Sequence, residues 1–216
     1  PSIMAYAYLN AEGKEVESNF KVGKNSECFN AFESNGFKIE KKMKNEKLYK
    51  LKKDFLDYWS LEKLEAMTLE EYTDTNRENS FCYWLEHITR DLGSIVGGSS
   101  YKFGIYKMGA TSKTESATNR TNDGEYAWHT KYGETALLAF NSIKSLIISI
   151  ANYAKEDNLN PIEDIDLGDA YKWKIAFMYS DFNVLNIFKK TWLISAANGL
   201  TNNENKLQIA ELNKLI

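Results

Sequence analysis

The sequence predicts an α+β fold: a mixed β-sheet packed by several helices, one of them long and buried around residues 135–156. Three observations predict it. Ile143, Leu146, Ile147, Ile150 and Ala154 recur at helical spacing in the longest apolar periodic segment. Residues 101–107 and 171–179 alternate in character, as strands do. The segments follow one another as strands, helices, two strands, long helix, strand, helix, an order that suits helices packed on a sheet.

Taken in order, residues 3–9 and 15–20 flank the turn residues 10–13 and read as a hairpin. Residues 26–35 read as a short helix. The first 40 residues are therefore expected as a small appendage to a main domain at 41–216. Residues 41–53 are lysine-rich, with Leu48, Leu51, Phe55 and Leu56 at helical spacing. A solvated helix face is the simpler reading and a nucleic-acid surface the sharper one. Ser60 precedes a helix start at Leu61, and Thr68-Leu69-Glu70-Glu71 fits a capping box. Ser80 caps a helix whose Phe81, Trp84, Leu85 and Ile88 form one apolar stripe, which assigns them to the core and leaves His87 facing solvent.

Gly93 ends that helix, and the turn at 97–100 leads into the strand-like 101–107 with Tyr101, Phe103 and Ile105 on one face. Residues 108–125 are polar and without periodicity, a loop of a length often given over to function. Residues 126–129 read as a short strand. The long helix opens at Glu134 or Thr135. Pro161 and Gly168 bracket an acidic loop before the strand-like 171–179. Residues 189–198 are expected as a helix capped by Gly199. The tail from Asn205 reads as an amphipathic helix carrying Leu207, Ile209, Leu212 and Ile216.

Composition bounds the class. Hydrophobic residues make up 43% and charged residues 26%, so a core can form without cross-links. The net charge of -3 is not that of a chain coating nucleic acid non-specifically, although a local basic face is compatible with it. Cys28 and Cys82 stand far apart and in no metal-ligand spacing, which reads as two free thiols in a reducing compartment. No apolar run approaches the roughly 20 residues of a membrane span, and the first residues are unlike a signal peptide. A cytoplasmic location is expected.

Chemistry-bearing motifs are sparse. There is no G-x-x-x-x-G-K-[ST] and no G-x-G-x-x-G after a strand, so no cofactor is expected. The turn at 97–100 could offer amides to an anion but more simply reverses the chain. Glu163, Asp164, Asp166 and Asp169, followed by Lys172 and Lys174, are the raw material of a Mg²⁺-dependent nuclease. A plain loop is the simpler reading. Lys102, Lys107, Lys113, Arg120, Trp128, His129, Lys131 and Tyr132 form a basic and aromatic group. Its cations can neutralise phosphates and its rings can stack on bases, or the rings belong to the core.

Residues 80–107 (SFCYWLEHITRDLGSIVGGSSYKFGIYK), then DGEYAW at 123–128, KYG at 131–133 and DLGDAYKWKIAF at 166–177, resemble segments of McrB-like, modification-dependent restriction proteins. In those proteins the segments lie ahead of an AAA+ motor. The resemblance spans residues 68–199. It implies an N-terminal region that recognises DNA, often modified DNA, beside a separate motor and an McrC-type nuclease partner. Some regions of this kind flip the modified base into an aromatic pocket.

On that basis the chain is expected to be a non-catalytic DNA-recognition domain. Lys102, Lys107, Arg120 and Lys131 would meet phosphates, with Trp128 or Tyr132 near a base and His129 also in the nucleic-acid-binding set. Two alternatives stand beside it: a Mg²⁺-dependent nuclease built on the acidic loop, and a module that docks an AAA+ motor or another subunit through the exposed side of the long helix.

Overall fold

The computed structural model describes residues 46–74, 78–109, 119–197 and 206–215. The chain divides into two units, Pro1–Glu46 and Lys47–Ile216, and the described residues from Lys47 onward make up the second. The expected hairpin, the helix at 26–35, Cys28, Lys113 and the Gly199 cap lie outside the described residues.

Helix α1 (Glu46–Tyr58) buries Lys52 and Phe55. Two short helices follow, α2 (Leu61–Ala66) and α3 (Leu69–Thr73), and both begin as the sequence predicts. The Ser60 side chain accepts the Lys63 amide. Thr68 and Glu71 exchange side-chain and backbone bonds in a capping box. Helix α4 (Phe81–Tyr83) opens on the Ser80 cap and widens into a π-helical turn, Trp84–Ile88. Phe81 and Leu85 are fully buried, and Trp84 stacks on Tyr58, so this aromatic stripe packs as expected.

Two 3-10 turns, Arg90–Leu92 and Ser100–Phe103, bracket Gly97 and Gly98. The second replaces most of the strand expected at 101–107. The Ser99 side chain accepts the Tyr101 amide and starts the turn. Gly104, at φ 81°, then redirects the chain into a short β1 (Ile105–Lys107). Strand β2 (Arg120–Asn122) lies inside the segment expected as a loop, and β3 (Tyr126–His129) falls where predicted. The three strands form an antiparallel sheet in the order β1-β3-β2.

A Cβ on Gly104 would meet Ile143 Cδ1 at 2.6 Å and the Tyr132 ring at 3.1 Å. Gly104→Ala is therefore expected to lower the unfolding free energy by about 2 kcal/mol, from left-handed backbone and overpacking together. An unchanged thermal midpoint would contradict this approach of the chain to the long helix.

That helix, α5 (Ala136–Lys155), starts at a Thr135 cap and buries Phe140, Ile143, Ile147, Ile150 and Ala154. Its 20 residues and mean hydropathy of 1.3 meet the length and composition of a bilayer-crossing helix, contrary to the sequence expectation. Its apolar face packs on α7 (Asp169–Tyr179), which the short α6 (Asn160–Glu163) precedes.

Helix α7 corrects the strand expected at 171–179. All its residues from Tyr171 to Tyr179 are buried. A helix enclosed on every side carries no polar face, so the 3.6-residue period vanishes and an accidental alternation shows through. Helices α8 (Lys190–Ala197) and α9 (Ile209–Leu215) pack on each other. The class is α+β as predicted, with every strand pair antiparallel among the described residues.

Buried tyrosine hydroxyls pair inside the core, whereas the indole nitrogens of the buried Trp59 and Trp173 have no hydrogen-bond partner among the described residues. The Tyr72 hydroxyl donates to the Phe103 carbonyl at 2.6 Å and lies 2.9 Å from the Tyr171 hydroxyl. Burial pushes the Cys82 thiol up to about 12, which keeps it protonated and unreactive.

Candidate functional site

The sheet register gathers the basic and aromatic residues. Arg120 stands directly opposite His129 across β2 and β3, so the two share one face. Tyr106, opposite Ala127, lies on the same face. Tyr101 arrives from the 3-10 turn and covers that face. Its ring centre is 3.9 Å from the Arg120 guanidinium, 4.9 Å from the Tyr106 ring and 5.2 Å from the His129 ring. The 3-10 turn Thr130–Tyr132 contributes Lys131 and Tyr132, and the loop before α7 contributes Asp166, Leu167 and Gly168. With Ser99, Tyr101, Lys102, Arg120 and His129 these turn and loop residues line a cleft of about 460 Å³.

Lys102, Arg120, His129, Lys131 and Tyr132 thus meet as expected. Lys107 and Trp128 do not join them. Lys107 pairs in register with Tyr126, an odd number of residues from His129, so its side chain leaves the opposite face of the sheet. Its ammonium lies 3.2 Å from Glu125 and over the Tyr126 ring. It lines a separate cleft of about 340 Å³ with Glu86 and His87.

Trp128 also points inward. At 3% exposure its ring has no open face for a base. Its Nε1 instead donates to the Gly133 carbonyl at 2.8 Å. Gly133 lies so close to α5 that a Cβ there would be 2.7 Å from the Ala139 nitrogen. Trp128 and Gly133 therefore hold the turn that carries Lys131 and Tyr132.

Lys102 is near the cleft but fully engaged. Its ammonium donates to the Glu86 carboxylate and to the Ile95 and Gly97 carbonyls, the latter two at 2.8 and 2.9 Å. A lysine has three donors, and here all are taken. It braces the glycine turn and leaves nothing for a phosphate.

The remaining cations differ. Lys131 pairs with Asp166 at 2.6 Å, while the Tyr132 hydroxyl donates to the Asp166 carbonyl at 2.8 Å. Arg120 has no carboxylate partner among the described residues. Burial, followed by the charges of Arg120 and Lys131, lowers the His129 pKa. The lowering favours the neutral imidazole, and the ring also bonds the Tyr101 and Asn119 backbone. A guanidinium lying on a tyrosine ring is held ready for a phosphate or a planar partner.

The acidic loop does not converge. Glu163 accepts the Ala210 amide at 2.6 Å, Asp166 faces Lys131, and Asp169 lies 3.3 Å from Lys172. Among the described residues no group of three or more His, Cys, Asp or Glu side chains is placed to hold a metal ion. Lys172 donates to the Glu163 and Ile165 carbonyls, and Lys174 to those of Thr89, Leu92 and Gly93. Both lysines of the nuclease alternative are committed to backbone carbonyls.

Two cleft residues escape the sequence reading. Tyr101 reads there as part of a strand face with Phe103 and Ile105, although Ser99 before it is a usable cap signal. Asp166 reaches Lys131 across 35 residues of sequence, a contact with no local trace. No family model, curated protein or solved structure matches the chain.

Proposed function

We propose that this chain is a DNA-recognition region of a McrB-like restriction system, without catalysis of its own, serving an AAA+ motor and an McrC-type nuclease. The observation that supports this reading best is Arg120. Its guanidinium rests on the Tyr101 ring, free of any carboxylate of the described residues, in a cleft that also holds His129, Lys131 and Tyr132. Phosphate contact falls to Arg120 and Lys131, and ring contact to Tyr101, His129 and Tyr132.

Fluorescence polarisation with duplexes, unmodified and carrying modified cytosine or adenine, tests the proposal. Binding should weaken with salt along a slope of about -1 to -2 in log affinity against log salt, the value for one or two phosphates. Absence of binding to every duplex at low salt would refute it. One feature favours a second reading, a docking surface for the motor or another subunit. Leu137 and Leu138, on the first turn of α5, are 60% and 53% exposed.

A further inference from the structure

Among the described residues, Asp166 is the one carboxylate lining the cleft. Its side chain and that of Lys131 are 72% and 46% exposed, so the pair can open to an incoming anion. The backbone around Asp166 is held without help from its carboxylate. The Asp166 carbonyl accepts the Tyr132 hydroxyl, the Leu167 amide donates to the Ile165 carbonyl at 2.8 Å, and Lys172 binds the same segment. The carboxylate therefore projects beside Lys131, in the cleft that Arg120 also lines, from a loop that does not need it. Carboxylate and phosphodiester oxygens each carry negative charge and accept from an ammonium at similar short distances.

We infer that Asp166 is an internal phosphate surrogate that a DNA backbone must displace from Lys131. The inference rests on the DNA reading above and makes Asp166 a specificity-determining residue. A phosphate arriving alone only exchanges one anion for another at Lys131. Net gain comes from DNA that Arg120 and the rings hold at the same time. The exchange is also nearly silent in salt dependence, because the displaced carboxylate takes up a cation as the phosphate gives one up.

The test is polarisation binding of one labelled duplex across salt concentrations, with wild type, Asp166→Asn, Lys131→Ala and the double variant. Asp166→Asn is expected to bind about three- to fivefold more tightly, the scale of an exposed ion pair. Its salt slope should steepen by about 0.9, one added phosphate. Adding Lys131→Ala should remove both gains, whereas Lys131→Ala alone should bind more weakly than wild type, because it leaves the Asp166 carboxylate unpaired in the cleft. The thermal midpoint of Asp166→Asn should equal that of wild type. Binding by Asp166→Asn alone would also support the inference. Wild-type binding with an equal or weaker Asp166→Asn would overturn it and leave the DNA reading standing. No binding by either protein at low salt would overturn both.

Discussion

Lys174→Ala is expected to lower the unfolding free energy by about 3 kcal/mol or more, the largest stability effect in this domain. Lys174 is fully buried, and its ammonium donates to the carbonyls of Thr89, Leu92 and Gly93 at 2.9, 3.2 and 2.8 Å. These oxygens belong to the 3-10 turn Arg90–Leu92 and its flanks; the Thr89 carbonyl also accepts the Leu92 amide at 2.9 Å, whereas the Leu92 and Gly93 carbonyls lie at the end of the turn. The Phe177 and Phe188 rings lie 5.9 and 5.5 Å from the ammonium. Truncation takes this donor away from the buried Leu92 carbonyl and the partly buried Gly93 carbonyl.

The pH dependence has a definite sign. Burial, with a smaller contribution from Lys52, pulls the Lys174 pKa down to about 7. Between pH 7 and the ordinary lysine value, the unfolded chain holds this proton more tightly than the native one. Stability therefore rises with pH in that window. Lys52, drawn down to about 8 by burial, adds in the same direction. Denaturant midpoints at pH 7 and pH 9.5 should rise in wild type and rise less in Lys174→Met. An equal rise in both would show that Lys174 does not titrate there. Because the chain runs from this turn to Ser99 and Tyr101 of the cleft, loss of Lys174 should weaken binding too.

Arg120→Ala is expected to reduce duplex affinity by about thirtyfold, the scale of an interface hot spot. Its effect on stability should be small, since the side chain spans a partly exposed sheet edge and pairs with no carboxylate of the described residues. Arg120→Lys should recover only part of the loss: it keeps the charge but not the planar fork lying on Tyr101. Tyr101→Ala should mimic a portion of the defect by releasing the guanidinium. If Arg120→Ala binds as tightly as wild type, the cleft is not where DNA is held.

Capped helices are legible in the sequence, because Ser60, Thr68 and Ser80 act within three residues of themselves. The long helix is legible because its apolar stripe survives partial exposure. Helix α7 is not, since full enclosure erases the amphipathic signal on which the prediction depends. For the cleft, residue type and neighbourhood point to Arg120, His129, Lys131 and Tyr132. Which way each side chain points depends on register. Lys107 and Trp128 fall on the other face by parity across β1 and β3, and Lys102 is consumed by carbonyls of a turn whose shape is tertiary.

Amide chemical shifts of the ¹⁵N-labelled protein, followed while a short duplex is added, test most directly whether the cleft holds DNA. The largest displacements are expected at residues 99–102, Arg120, residues 129–132 and residues 166–168, together with the Arg120 side-chain Nε–H. Shifts confined to the exposed Leu137–Leu138 turn or to Trp192 on α8, with the cleft unmoved at saturating duplex, would contradict DNA binding there.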